Sequence, residues 1–292
     1  MKSSLQTSEL AIPTGISLPA YLWLPQGDPP RACFFFLHGQ GDFAERYGEI
    51  AQIFNSHRVA FFTCDLPGHG QAPGKRGHIQ SPDLIAEVIS SGLSFLRKNW
   101  PHTPIGFGGH SMGGLSALYH LPKLQPQPDF SWVSSPLLHP ESREPAWKPF
   151  LLKPLSRFFP TLTLSTGVTA KLCREYLPGE SATEHLQFHN RVSLLWGRHI
   201  IEMGTTVRAQ APHLSHDLPL LLTQGMKDKI CPPEICKKYA EKLCGPNKEI
   251  VLFAEARHEP FSDTSREEFF TILSQWLQKV LQTNPLEKSG DT

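Results

Sequence analysis

The stretch Ile105-Gly106-Phe107-Gly108-Gly109-His110-Ser111-Met112-Gly113-Gly114 decides how the rest of this chain is interpreted. A strand-like apolar run leads into a Gly-x-Ser-x-Gly pattern centred on Ser111, and a helix-prone segment from Leu115 to His120 follows. Glycines two positions before and after the serine allow a strand and a helix to approach closely. The pattern predicts a sharp strand-to-helix turn that exposes the Ser111 hydroxyl as a nucleophile and aims the Met112 amide at developing negative charge. The alternative is an ordinary turn rich in small residues.

Composition excludes several classes of function. The chain has 292 residues, of which 39% are hydrophobic and 19% charged, as in globular proteins that fold as one large domain or as a domain with an insertion. A net charge of +1 without a dense basic patch argues against nucleic-acid binding. The fourteen histidines include no His-Glu-x-x-His motif and no close cluster with cysteines, so the sequence predicts neither a metal site nor a cofactor.

Cysteine usage and the chain start indicate a compartment. The six cysteines lack the spacing of a disulfide framework, and Cys33 and Cys64 lie in apolar runs that favour buried thiols. The first residues contain no apolar core of a signal peptide, and no stretch approaches the ~20 apolar residues of a membrane span. We expect a reducing, cytoplasmic location, with peripheral contact to a membrane surface as an open alternative. The sequence is silent on oligomeric state.

Apolar runs and turn residues alternate with helical patterns along most of the chain. A hairpin is predicted from Leu10 to Leu24. The other predicted strands are Ala32 to Leu37, Val59 to Cys64, the run before Ser111, Phe130 to Ser134, Leu218 to Thr223 and Glu249 to Phe253. The predicted helices are Glu45 to Phe54, Pro82 to Asn99, Pro232 to Leu243 and Ser265 to Leu281. This alternation predicts an α/β fold with a mostly parallel central sheet flanked by helices.

The interval from residue 136 to 217 breaks the alternation. We interpret it as an inserted cap (lid) between two parts of a core, residues 1–135 and 218–292. It contains the apolar helix-like stretch Trp147 to Phe159, which is interspersed with the basic residues Lys148, Lys153 and Arg157. An amphipathic pattern of this kind fits a helix packed on the domain below it, and it also fits a helix resting on a lipid surface.

A nucleophilic serine needs a base to take its proton and a carboxylate to orient that base. After a strand-to-helix serine turn, the acid and then the histidine follow in chain order. Asp228 comes just after the carboxyl end of a predicted strand, where ligand chemistry collects in parallel sheets. Asp217 precedes that strand, and Asp263 follows the candidate base. His258 directly follows the next strand and is the only histidine after Asp228. The predicted triad is therefore Ser111, His258 and Asp228.

A second backbone donor to the oxyanion is expected from a loop after an earlier strand. The turn His38-Gly39-Gln40-Gly41 has this position, so the amides of Gln40 and Met112 are the predicted oxyanion hole. Asp65 and His69 end the following strand in a turn rich in glycine and proline, and we interpret both as loop-shaping residues.

These motifs together resemble the monoacylglycerol lipase and lysophospholipase branch of the α/β-hydrolases, from about residue 10 to 282. The resemblance is carried by His38-Gly39-Gln40-Gly41 with Arg46-Tyr47, Asp65-Leu66-Pro67-Gly68-His69-Gly70, Gly109-His110-Ser111-Met112-Gly113-Gly114, Asp228, His258-Glu259 and the cap stretch Val192-Ser193-Leu194-Leu195-Trp196-Gly197-Arg198. The Gly-His-Ser-Met-Gly-Gly motif recurs across α/β-hydrolases and so supports the fold more than the substrate. The turn His38-Gly39-Gln40-Gly41 with Arg46-Tyr47, together with the cap stretch, resembles this branch more specifically.

The resemblance implies an α/β-hydrolase fold with a cap and a serine esterase that needs no cofactor. Its expected substrate is a lipid ester, a monoacylglycerol that loses its single acyl chain through an acyl-enzyme on Ser111. A lysophospholipase is the near alternative, and a broad-specificity esterase, thioesterase or peptidase is a more distant one. A non-catalytic binding module is disfavoured because all three triad residues are present.

The chain departs from the family pattern in three places. Asp42 stands where the family usually has Glu, Phe43 stands where it often has His, and Glu184-His185 falls near a cap position that is commonly Asp-Pro. By resemblance, Arg46 and Asp42 form a polar cluster near the alcohol end of the substrate. A structural salt bridge is the alternative interpretation of this pair.

Overall fold

The computed structural model describes residues 4–27, 29–139, 148–175 and 187–283. An eight-stranded sheet runs through the molecule in the order β1-β2-β4-β3-β5-β6-β9-β10. Its strands are β1 (Ser4–Ala11), β2 (Ser17–Leu24), β3 (Ala32–Leu37), β4 (Val59–Cys64), β5 (Ile105–His110), β6 (Phe130–Ser134), β9 (Leu220–Gly225) and β10 (Lys248–Phe253). β2 pairs antiparallel with β1 and β4, and every other pair of neighbours is parallel. The predicted mostly parallel sheet is confirmed.

Helices cover both faces of this sheet. They are α1 (Gly48–Ser56), α2 (Pro82–Asn99), α3 (Met112–His120), α7 (Pro233–Ala240) and α8 (Arg266–Thr283). Ser81 caps α2, because its side chain accepts a hydrogen bond from the Leu84 amide at 3.3 Å and a proline occupies the first turn.

Two apolar layers lie on opposite faces of the sheet because side chains alternate along each strand. Phe35, Phe62 and Phe107 point to the face covered by α2 and α3. Phe34 and Phe36 point to the other face, covered by α1 and α8. β3 and β4 are buried along their whole length, as their predominantly apolar sequences predict for strands covered on both sides.

Several predicted boundaries differ from the structure, and three of these differences have a clear physical reason. β1 begins at Ser4 rather than Leu10, because this edge strand is exposed and its polar residues give no apolar pattern. β9 begins at Leu220 rather than Leu218, since Pro219 has no N–H to contribute to the sheet. The predicted helix at Glu45 starts as a short 3-10 turn, Glu45–Tyr47, before α1.

The chain between β6 and β9 forms elements outside the central sheet. They are α4 (Lys148–Phe158), β7 (Thr163–Ser165), α5 (Ala170–Cys173), β8 (Arg191–Ser193) and α6 (Leu194–Gln210). β7 and β8 pair antiparallel, and α6 contacts both α3 and α4. Trp147, where the predicted apolar stretch begins, lies outside the described residues, as does Glu184-His185, one of the departures from the family pattern. Among the described residues, none of the helices combines the length and apolar character needed to cross a bilayer.

Candidate active site

Ser111 lies at the turn between β5 and α3. Its backbone has φ 55° and ψ −116°, outside the usual regions for a residue with a side chain, and such strain is concentrated at functional sites. Hydrogen bonds on both sides hold it there: the Ser111 amide donates to Ser134 O at 2.9 Å, and the Leu115 amide donates to Ser111 O at 2.9 Å. A Cβ at Gly109 or Gly113 would collide with neighbouring backbone, so the tight turn requires both glycines.

The three residues predicted as a triad meet at the carboxyl edge of the sheet. His258 Nε2 lies 2.9 Å from Ser111 Oγ, and His258 Nδ1 lies 2.8 Å from Asp228 Oδ2. All three residues are buried. With Nδ1–H donating to the carboxylate, the Nε2 lone pair faces the serine hydroxyl. This arrangement can transfer a proton from the serine to the imidazole.

Backbone and side-chain donors fix the carboxylate of Asp228. Its Oδ1 accepts hydrogen bonds from the amides of Ile230 at 2.7 Å and Cys231 at 2.9 Å. Its Oδ2 accepts a hydrogen bond from Gln224 Nε2 at 2.9 Å in addition to the one from His258. The carboxylate therefore has little freedom to rotate away from the imidazole.

The other two acids considered from the sequence do not contact His258 in the described part of the chain. Asp217 is exposed beside His216, with 3.0 Å between Oδ1 and Nδ1. Asp263 accepts hydrogen bonds from the amides of Arg257, Thr264 and Glu175 at 2.7 to 3.1 Å, so it shapes the loop that carries His258.

Neighbouring charges set the protonation of the two buried histidines of this site. Burial lowers the pKa of His258, but the charge and hydrogen bond of Asp228, aided by Glu259 and Asp42, outweigh burial and raise this pKa above 6.5. Burial, followed by the charge of His258, holds the pKa of His110 well below its ordinary value. The His110 ring lies 4.7 Å from the His258 ring, centroid to centroid, so a neutral His110 leaves the charge to His258.

The two predicted oxyanion donors lie beside Ser111. Met112 is the first residue of α3, where a backbone amide has no partner within the helix. The Gln40 turn passes close by, since a Cβ at Gly39 would lie 3.3 Å from Ser111 Cβ. This geometry is compatible with two amides pointing toward a common oxygen.

A tryptophan of α6 contacts the side chains of both candidate donors. Trp196 Nε1 donates to Gln40 Oε1 at 3.0 Å and lies 3.2 Å from Met112 Sδ. Gln40 Nε2 donates in turn to Arg191 O at 2.8 Å. Trp196 is fully buried. Sequence reasoning identified Trp196 only as part of a cap stretch, because contacts between segments so far apart leave no local pattern.

Arg46 and Asp42 lie together, as the resemblance predicts, with 3.0 Å between Nη1 and Oδ2. Arg46 also makes a bidentate pair with Glu259, at 3.0 and 2.7 Å, and the Tyr47 hydroxyl donates to Asp42 at 2.7 Å. The Arg46 side chain is only 14% exposed. Burial raises the pKa of Glu259, but the stronger combined attraction of Arg46 lowers it to about 2. The geometry favours the structural salt bridge, and the substrate contact stays a prediction.

Asp65 and His69, which we interpreted as loop-shaping, and His38 in the turn after β3 all make contacts with loop backbone. His69 Nδ1 donates to Pro67 O at 3.0 Å. His38 Nδ1 donates to Gly39 O at 2.8 Å, and its Nε2 accepts from the Leu66 amide at 3.0 Å. Asp65 accepts hydrogen bonds from the amides of Ala44 and Gln71, both at 2.7 Å.

Comparison with known proteins places the chain in a family. Residues 28–265 match the family described as Serine aminopeptidase, S33. A monoglyceride lipase of Rattus norvegicus is 28% identical over 241 residues, which cover 81% of this chain and 78% of that protein. The crystal structure of a monoacylglycerol lipase of Paleococcus ferrophilus superposes with a TM-score of 0.76 and 27% identity, covering 96% of this chain and 100% of that one.

One relative is much longer than this chain. An uncharacterized abhydrolase domain-containing protein of Dictyostelium discoideum is 27% identical over 265 residues, which are 89% of this chain but 27% of that protein.

The fold and the family match together identify the family of this chain. The chain is a hydrolase that belongs to the serine aminopeptidase S33 family of α/β-hydrolases, in the branch of the monoacylglycerol lipases and lysophospholipases.

Proposed function

We propose that the protein is a serine esterase that removes the single acyl chain of a monoacylglycerol-like lipid. The observation that carries the proposal is the buried chain of contacts from Ser111 Oγ through His258 to Asp228, at 2.9 and 2.8 Å. These are the distances that general base catalysis requires. The monoglyceride lipase of rat supports the lipid substrate by similarity.

The proposed reaction has two steps. Ser111 Oγ attacks the acyl carbonyl while its proton moves to His258 Nε2, and Asp228 stabilises the resulting imidazolium. The tetrahedral intermediate collapses when His258 returns the proton to the leaving alcohol, and the acyl group stays on Ser111. Water then loses a proton to His258 and attacks the acyl-enzyme, which releases a carboxylic acid and restores the serine.

The negative charge of each tetrahedral intermediate needs donors that are already in place. We assign this role to the backbone amides of Met112 and Gln40, on either side of Ser111. Donors that are already fixed in position need no reorganisation during the reaction. The contacts of the Gln40 side chain with Trp196 and Arg191 restrain the turn that carries the Gln40 amide.

We also propose that residues 136–217 form a cap over the acyl site. The support is that their described elements lie outside the central sheet and that α6 reaches the Ser111 helix, α3. A covered apolar site suits one medium or long acyl chain joined to a small polar alcohol.

The cap carries the apolar surface expected of a protein that touches lipid. Phe158 is 75% exposed, and the other exposed large apolar residues in the described part of the proposed cap are Leu155, Phe159, Leu162, Leu164 and Phe188. Lys153 and Arg157 lie on the same helix as Phe158. Exposed aromatic residues flanked by basic ones are typical of interfacial binding, so we propose transient contact of this surface with a membrane or micelle.

A lysophospholipid is the second candidate substrate, and one cavity favours it. A cavity of about 520 Å³ borders Asp228, between α5 and the loop after β9. Four basic side chains are among its lining residues: Lys171, Lys227, Lys229 and Arg257. Glu255 pairs with Lys227, and Glu175 pairs with Arg257 at 3.1 Å. The lining also includes the carboxylates of Asp228 and Glu234, so the cavity carries mixed charge, and Lys171 and Lys229 are the groups that would bind the phosphate of a lysophospholipid.

The test compares a monoacylglycerol with a lysophosphatidylcholine of the same acyl chain, each above and below its micelle concentration. We expect faster turnover of the monoacylglycerol, stimulation by micelles, and no turnover by Ser111→Ala. Preference for the lysophospholipid would establish the second candidate. Activity of Ser111→Ala at the wild-type rate, or hydrolysis of an amide analogue in preference to both esters, would refute the proposed function.

A further inference from the structure

Three side chains that can each bind a metal ion lie close together at the triad. A carboxylate oxygen of Asp228, the Cys231 sulfur and a ring nitrogen of His258 all lie within 4.8 Å of one another, and all three residues are buried. Asp228 and Cys231 come from the loop after β9, and His258 comes from the loop after β10. The sequence predicted no metal site because the histidine is far from the other two residues along the chain.

The donor set selects a thiophilic cation. A thiolate, an imidazole nitrogen and a carboxylate bind Zn²⁺ at about 2.3, 2.0 and 2.1 Å, whereas Mg²⁺ and Ca²⁺ prefer oxygen ligands alone. Ligands around a tetrahedral ion of this size lie roughly 3 to 4 Å apart. His258 Nδ1 and Asp228 Oδ2 are now 2.8 Å apart, so a cation between them requires only a small separation of the two groups.

We propose that Asp228, Cys231 and His258 form a binding site for a thiophilic divalent cation, such as Zn²⁺ or Cd²⁺, and that occupation of this site inhibits the enzyme. The inhibitory part rests on the proposed function, because it concerns the base that activates Ser111. The cation takes the place of the proton that Nδ1 and Asp228 Oδ2 share.

Inhibition follows from the tautomer of His258. A cation on Nδ1 occupies the lone pair of that nitrogen, so the single proton of the neutral ring moves to Nε2. Nε2 then presents an N–H to Ser111 Oγ, 2.9 Å away, and cannot accept the serine proton. The Cys231 thiol releases its own proton to solvent when the sulfur binds the cation.

Other cysteines of the chain provide controls that distinguish binding at this site from nonspecific inhibition by metal ions. Cys236 is a buried thiol on the neighbouring helix α7 and is not part of the cluster, so Cys236→Ser is the matched control. Cys244 is an exposed thiol, and Cys244→Ser in every protein removes its contribution. Mg²⁺ at equal concentration controls for charge alone.

The test titrates Cd²⁺ into the full chain and into the Cys231→Ser, Cys231→Ala and Cys236→Ser variants. Two signals are followed: the ultraviolet thiolate-to-cadmium charge-transfer band, and the rate of ester turnover relative to each protein's own metal-free rate. We expect the band and reversible inhibition together in the parent protein and in Cys236→Ser. Both Cys231 variants should lose the band and need at least about tenfold more Cd²⁺ for half-inhibition.

Three results would overturn the site: no charge-transfer band in the parent protein, a band that survives in both Cys231 variants, or inhibition that is equal in all four proteins. Persistence of turnover in a protein that shows the full band would overturn the inhibitory mechanism. Failure of the proposed function is seen separately, since it would appear as the absence of Ser111-dependent ester turnover before any metal is added. Two Cys231 substitutions of different size guard against a variant that fails to fold, and thermal melts identify such a variant.

Discussion

Trp196→Phe is expected to lower kcat although Trp196 lies in a different segment from every triad residue. The substitution keeps an aromatic ring but removes the indole N–H that donates to Gln40 Oε1 at 3.0 Å and approaches Met112 Sδ at 3.2 Å. Gln40 then keeps only its contact with Arg191 O among these restraints, and the oxyanion turn loosens.

The expected magnitude follows from one neutral hydrogen bond, which contributes about 0.5–1.5 kcal/mol. If that loss falls on the transition state, kcat decreases about 2- to 12-fold. Complete loss of one oxyanion donor costs about 10²–10³-fold and sets the upper limit. KM should change by less than about 2-fold, because the developing oxyanion exists only in the transition state.

Steady-state kinetics on Trp196→Phe, Gln40→Ala and the double variant provide the assay. The two substitutions remove the same contact, so their effects on kcat should be less than additive. Trp132→Phe is the matched control, since Trp132 is equally buried and its indole donates to Thr223 Oγ1 at 3.2 Å within the core. An unchanged kcat in Trp196→Phe, or an equal decrease in Trp132→Phe, would refute the reasoning.

Three further predictions concern the oxyanion turn, the ion cluster and acid stability. Gln40→Pro removes a backbone N–H and should lower kcat by about 10²–10³-fold, far more than Gln40→Ala, as measured with the same ester. Arg46→Met leaves the carboxylates of Asp42 and Glu259 buried without their cation and should cost about 3–5 kcal/mol in urea unfolding, and a cost below 1 kcal/mol would contradict the cluster's structural role. Burial lowers the pKa of His120 to about 4, so its contribution to stability is complete above pH 6.5 and is lost as pH falls toward 4. The unfolding free energy of the wild type should therefore fall by about 3 kcal/mol relative to that of His120→Gln over this range, and parallel curves would contradict the assignment.

The parts of the fold that sequence predicts best are those whose signal is local. β3 and β4 agree with their predicted bounds to the residue, because each is a predominantly apolar run that ends at a polar turn. β1 was predicted too short, since an exposed edge strand needs no apolar pattern.

In the candidate site too, the residues marked by local signals were predicted, whereas contacts between distant segments were not. Ser111, Asp228 and His258 each follow a strand, so the topology of a parallel sheet predicts that they meet, and they do so at hydrogen-bonding distance. The contact of Trp196 with Gln40 depends on how the segment between β6 and β9 folds back over the sheet. No periodicity or motif encodes that contact, and the same is true of the approach of the Cys231 sulfur to His258.

Labelling with a fluorophosphonate probe tests the central claim most directly. Peptide mapping of the labelled wild-type protein should find one adduct, on Ser111 Oγ, and His258→Ala should form it at least about 100-fold more slowly because the serine has lost its base. An adduct on a different serine, or labelling of His258→Ala at the wild-type rate, would contradict the account.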